Sequence, residues 1–164
     1  MEITAKTRKL ALSRHLDYDI DKITEETDGN FGVGTEEYLV LTDDEANTKT
    51  EESIKDSIWA FNASFILDEC ELPSELEECI QGFQEKECEG ANDALLALVE
   101  KCCGLDDFVK AAINADSRAH FMNTYDDEEN QIELEAPKDE KEAEEFYEQS
   151  DGAETITLYI YRTN

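Results

Sequence analysis

Thr155-Ile156-Thr157-Leu158-Tyr159-Ile160-Tyr161 alternates residue by residue and puts Ile156, Leu158 and Ile160 on one face, the period-two signature of a half-buried strand. A partner is legible at Glu37-Tyr38-Leu39-Val40-Leu41-Thr42, where Leu39 and Leu41 alternate with Tyr38 and Val40. The C-terminal strand is expected to pair with 37–42 and with Phe31 to Val33, giving a small antiparallel sheet.

Between these strands the periodicity changes to that of helices. Thr42 with Glu45 forms a capping box. Ile54, Ile58, Phe61 and Phe65 then recur at helical spacing, which predicts one long amphipathic helix with a buried stripe. Pro73-Ser74 with Glu77 repeats the start signal, and Leu76, Cys79, Ile80 and Phe83 mark an inward face. Asn92 is placed to cap a third helix carrying Leu95, Leu96, Val99 and Cys102, with Gly104 positioned to end it. Leu105, Phe108, Val109, Ala112 and Ile113 predict a fourth. A short strand around Ile132 and Leu134 and a helix after Pro137 bearing Ala143, Phe146 and Tyr147 complete the reading. The expected fold is α+β, several helices packed on a small antiparallel β-sheet, in a single domain over 1–164. Within it, 126–154 is an acidic segment with room to flex.

The 164 residues are 40% hydrophobic and 9% aromatic, enough for a core of one domain. No stretch reaches the roughly 18 apolar residues of a membrane span, and no apolar run of a secretory signal opens the chain. A place in the cytoplasm is expected, with the five cysteines as reduced thiols.

Charge sets this chain apart: 43 acidic against 14 basic residues give −29. Residues 43–89 and 126–154 each hold −12, whereas 90–125 carry −2 and 1–16 carry +3. Such a chain repels nucleic acid and anionic membrane, so its expected partner is basic. Solubility asks a small domain for a net charge of only about 2 to 8. Halophilic adaptation would spread acid over 90–125 and the N-terminus as well. Duplex DNA carries one charge per roughly 1.7 Å, so the charge of this chain matches about 50 Å of duplex, close to the ~40 Å diameter of a domain this size. Carboxylates on helix faces can therefore imitate phosphates. The candidate partner-binding residues are Asp43, Asp44, Glu51, Glu52 and Asp56 from the first block and Asp126, Asp127, Glu128 and Glu129 from the second.

Other constellations are weaker. Cys70, Cys79 and Cys88 at intervals of nine, with the adjacent Cys102 and Cys103, lack the paired spacing of a zinc site, and Cys79 reads as a core thiol. Asp17, Asp19, Asp21, Glu25 and Asp28 follow a calcium-loop rhythm, but Lys22 stands where that loop needs glycine. Asp116, Ser117, Arg118 and His120 gather titratable groups in an expected loop without a nucleophile motif. The chain is therefore expected not to be an enzyme and to use no cofactor or metal.

Glu37 to Ala46, Ser57 to Phe65, Ala119 to Asn130 and Tyr159 to Asn164 resemble a family of small acidic proteins encoded by tailed bacteriophages and prophages. The resemblance spans most of the chain, implies a phage source and transfers no catalytic residue. Phages encode many small acidic inhibitors of nucleic-acid-binding machinery. The expected function is counter-defence of the anti-CRISPR or anti-restriction type, directed at the basic surface of a nucleic-acid-binding host protein or ribonucleoprotein complex. A non-inhibitory interaction or assembly protein docking on a basic host or virion protein is the alternative, and a small enzyme with a site near His120 the third reading.

Overall fold

Five strands and seven α-helices are present in a computed structural model that describes residues 3–27, 29–122, 124–138 and 140–164, the helix Ala5–Leu16 and the strand Thr24–Glu25 among them without a counterpart in the sequence reading. The strands are β1 (Thr24–Glu25), β2 (Asn30–Val33), β3 (Glu36–Leu41), β4 (Asn130–Glu135) and β5 (Thr155–Arg162). The helices are α1 (Ala5–Leu16), α2 (Asp43–Ser57), α3 (Ala63–Glu69), α4 (Glu77–Glu87), α5 (Asn92–Cys102), α6 (Leu105–Phe121) and α7 (Glu140–Gln149). The fold class is α+β. The chain divides into two compact units, Met1–Thr48 with Met122–Asn164 and Lys49–Phe121, the boundary falling inside α2.

The first unit is built on an antiparallel sheet of order β1-β2-β3-β5-β4. Ile156, Leu158 and Ile160 of β5 are buried as their alternation requires, in one cluster with Val40, Leu134, Ala11 and Leu12 of α1, and Phe146 of α7. Helix α1 starts where the Thr4 hydroxyl accepts the Thr7 N–H at 3.3 Å and stops at Asp17, which turns left-handed at φ 49°.

The expected pairing of β5 with Phe31 to Val33 is corrected. β2 pairs with β3 through a turn whose Gly34 takes φ +65°, a value that favours glycine, so β2 occupies one edge of β3. β5 takes the other edge, with Val40 opposite Ile160. The second neighbour of β5 is β4, where Ile132 faces Leu158 and Leu134 faces Ile156. These apolar cross-strand pairs supply what the more distant pairing would have lacked. The 126–154 segment carries both β4 and α7.

The second unit is helical, with a core of Ile54, Ile58, Ile66, Leu95, Val99, Phe108 and Ala112. The single long helix expected through Phe65 is broken. α2 ends at Ser57, a 3-10 turn spans Ile58–Ala60, and Phe61 is extended at φ −68°, ψ 150° before α3. Side chains from later in the chain absorb the freed backbone groups. Asn92 accepts the Trp59 N–H at 3.2 Å and donates to the Lys55 carbonyl at 2.7 Å, while the Gln84 amide donates to the Trp59 and Phe61 carbonyls at 2.9 and 2.8 Å. Asn92 thus bridges elements and makes no side-chain capping bond on α5. Phe61 and Phe65 are half-buried rather than fully buried.

Two further expectations are corrected in this unit. α4 fully buries no residue: Cys79 and Phe83, like Leu76 just before the helix, are exposed, and only the half-buried Ile80 packs against the helical core, so most of the apolar stripe is not an inward face and Cys79 is not a core thiol. Asp116 to His120 is not a loop, because α6 continues to Phe121 across a break at Ser117, where φ is 66° and ψ 162°.

Candidate functional site

The nine carboxylates singled out in the sequence divide between the two units. Asp43 and Asp44 form the first turn of α2, where the helix dipole favours negative charge, and both are exposed. Glu52 and Asp56 sit one turn apart on α2 and are exposed, while Glu51 is half-buried and paired with Lys55. Asp126, Asp127, Glu128 and Glu129 are all exposed and lead into β4. Among the described residues, Asp44, Glu52, Asp56 and Glu128 enter no ion pair. A carboxylate that is exposed and unpaired within its own chain can meet an external cation without first breaking a bond.

The stretch before β4 is held at a defined edge of the sheet. The Tyr125 N–H donates to the Arg162 carbonyl at 2.7 Å, the Arg162 guanidinium lies 4.5 Å from the Tyr125 ring centroid, and the buried Tyr161 hydroxyl donates to Glu129 at 2.5 Å. Beside it, Arg162 pairs with Glu36 at 2.7 Å and the Tyr38 hydroxyl donates to Glu36 at 2.8 Å. Burial, the bond to Glu36 and the charges of Glu36 and Asp126 push the Tyr38 phenol up to about 12, against the opposing pull of Arg162.

Not every acid of the first block is free to meet a partner. Glu45 receives the Arg8 guanidinium in a fork at 2.8 and 2.7 Å and the Thr42 N–H at 2.8 Å, and its own N–H donates to the Thr42 hydroxyl at 3.3 Å. The capping box predicted from the sequence is therefore present, and Glu45 is structural.

A further acidic surface escaped the sequence reading. On α4 and the 3-10 turn before it (Ser74–Leu76), Glu75, Glu77, Glu78, Glu85 and Glu87 are exposed together with Leu76 and Phe83. The available signal was the density of glutamate on both sides of the apolar stripe, which leaves that stripe no clean polar back.

The remaining constellations do not converge. Among the described residues no three His, Cys, Asp or Glu side chains group as metal ligands. Of the calcium-like rhythm, Asp19 accepts the Asp21 N–H at 3.1 Å and pairs with Lys22 at 3.5 Å, as an acidic turn does, and Asp28 lies outside the described residues. His120 is exposed, with its ring 5.2 Å from that of Phe121.

The thiols separate into two classes. Cys79, Cys88 and Cys102 are exposed, whereas Cys70 is buried with its Sγ 3.8 Å from that of Cys103. Burial, reinforced by Cys103, pushes the Cys70 thiol up to about 12. Iodoacetamide at mildly alkaline pH should therefore modify Cys79, Cys88 and Cys102 in the folded protein while Cys70 reacts only after unfolding, as peptide mass spectrometry would record. Equal labelling of all four would show Cys70 to be open to solvent. Because an unfolded thiol ionises near about 8.5 and folded Cys70 holds its proton, this residue's contribution to stability is complete below that pH and declines as pH rises toward about 12.

Comparisons of the chain with family models, with curated proteins and with solved structures return no match.

Proposed function

We propose that this chain is a phage counter-defence inhibitor, of the anti-CRISPR or anti-restriction type, that occupies the basic nucleic-acid-binding surface of a host protein or ribonucleoprotein complex in the host cytoplasm by presenting carboxylates in place of phosphates. The observation that carries this reading is the exposure of eight of the nine candidate carboxylates, with Asp44, Glu52, Asp56 and Glu128 in no ion pair among the described residues, on a chain of net charge −29. A basic channel evolved to release counterions from nucleic acid gains the same entropy from such a surface. Nucleic acid itself is repelled by the chain, and no described helix is long and apolar enough to cross a membrane.

The test begins with capture of the target from host lysate and proceeds to competition with labelled nucleic acid across salt concentrations. Affinity should fall steeply as salt rises, and Asp44→Lys, Glu52→Lys, Asp56→Lys and Glu128→Lys should weaken binding progressively as they are combined. Simultaneous binding of the target to both ligands, or indifference to all four reversals, would rule out mimicry.

A second reading has its own observation. Leu76 and Phe83, exposed among the glutamates of α4, are what a conventional interface with a basic host or virion protein would use as its centre. On that reading Phe83→Ala alone removes most of the affinity and the four reversals remove little.

A further inference from the structure

We infer that the first unit contains a binding cavity for a small amphipathic anion, an apolar body ending in a carboxylate. The cavity has a volume of about 490 Å³ and lies between α1, the last residue of β4 with the 136–138 stretch that follows, and α7. That volume falls within the range of small-molecule sites, roughly 300 to 1,000 Å³. Its apolar walls come from Leu10, Ala136, Pro137 and Phe146. Lys6, Arg14 and Lys138 line it as well.

Three features point to this ligand class. The first is the sign of the charge. Lys6, Leu10 and Arg14 follow one another at intervals of four on α1, which gives one helix face a cation, an apolar contact and a second cation. Lys138 adds a third cation, and among the described residues the facing carboxylates are Glu135 and Glu145, so the described lining is net positive on a chain of net charge −29.

The second feature is that two of these cations are not consumed. Lys6 pairs with Glu145 at 3.8 Å, but Arg14 and Lys138 enter no ion pair among the described residues, although the chain holds 43 carboxylates. Over the Debye length of about 8 Å at physiological salt, these near cations outweigh the repulsion of acids farther away.

The third feature is the satisfied polar floor. Gln149 Oε1 accepts the Thr7 hydroxyl at 2.7 Å and the Thr4 N–H at 2.9 Å, and Gln149 Nε2 donates to the Glu145 carbonyl at 3.1 Å. With Thr7 and Gln149 buried and bonded, the interior requests no hydroxyl or amide from a ligand. An apolar body satisfies it, and only the ligand's end needs a charge.

Decanoate below its micelle concentration is a suitable probe, followed by amide chemical shifts of the full chain, with 1-decanol and decyltrimethylammonium as comparators. Saturable shifts confined to α1, α7 and residues 135–138 are expected with decanoate, and none with the cationic comparator. The exposed cations can be reversed without disturbing the core, and Arg14→Glu with Lys138→Glu should weaken decanoate binding about tenfold or more, as the loss of two charge contacts implies. Leu10→Trp, which fills the cavity, should abolish the shifts. Equal binding of decanol or of decyltrimethylammonium, unchanged affinity in the reversed variant, or no saturable shift at millimolar decanoate would overturn the assignment.

Discussion

Phe108→Ala should lower the stability of the second unit by about 3 to 5 kcal/mol, the cost of a large-to-small change at a fully buried site. Phe108 has no exposed surface. Its ring centroid lies 5.4 Å from those of Phe61 and Phe65, at interplanar angles of 54° and 72°. Phe61 in turn stacks on Phe121 at 5.8 Å and 8°. Removing the central ring therefore forfeits its burial and also two tilted aromatic contacts, each worth about 0.5 to 1.5 kcal/mol beyond area. Because Phe61 is half-buried, Phe61→Ala should cost less than Phe108→Ala, although the helical spacing in the sequence favours Phe61 as a member of the buried stripe. Urea denaturation of the two variants checks the order. Equal midpoints for Phe108→Ala and the parent chain would mean that the aromatic cluster is not packed.

Local patterns in this sequence were readable because local physics decides them. The alternation of β5 and the Thr42–Glu45 box each involve residues within a few positions of one another. The break after Ser57 was not readable, because the groups that make it affordable, Asn92 and Gln84, stand about thirty positions later. Periodicity also reports only that a helix has an apolar face, not that another element covers it. Leu76, Cys79, Ile80 and Phe83 have the spacing of a core helix, yet only Ile80 packs against the core and the other three are exposed. The acids of the candidate surface followed from composition, since most carboxylates stay in water. The full engagement of Glu45 did not, because its capping bond to Thr42 is local whereas its fork with Arg8 comes from some 37 positions away. The cavity divides the same way: the Lys6, Leu10, Arg14 spacing is local, whereas the arrival of Lys138 and Phe146 requires the fold.

Arg8→Ala should cost the first unit about 2 to 4 kcal/mol at neutral pH, with a loss that depends on pH in a defined direction. The Arg8 side chain is 9% exposed and spends its donors on the Val40 carbonyl at 2.5 Å, the Ile3 carbonyl at 3.3 Å and both oxygens of Glu45. Truncation leaves these acceptors without their donor. Removal of one partner from a fully buried pair would cost about 3 to 5 kcal/mol, but the Glu45 side chain is 40% exposed, so water recovers part of its loss. Burial alone would raise the Glu45 carboxyl. The Arg8 guanidinium and the Thr42 N–H outweigh it and hold the group below the usual carboxylate value. A depressed folded value means that the stabilisation is fully present above the unfolded carboxyl value near about 4.3 and is lost as pH falls through the folded one. The stability difference between the parent chain and Arg8→Ala should thus be level from about pH 7 to 5 and shrink below about pH 4, while Glu45→Gln should lack that acid-sensitive part. A difference that stays constant down to pH 3 would assign the cost to the lost carbonyl bonds alone. An Arg8→Met variant as stable as the parent chain would show that the ion pair does no more than offset its own desolvation.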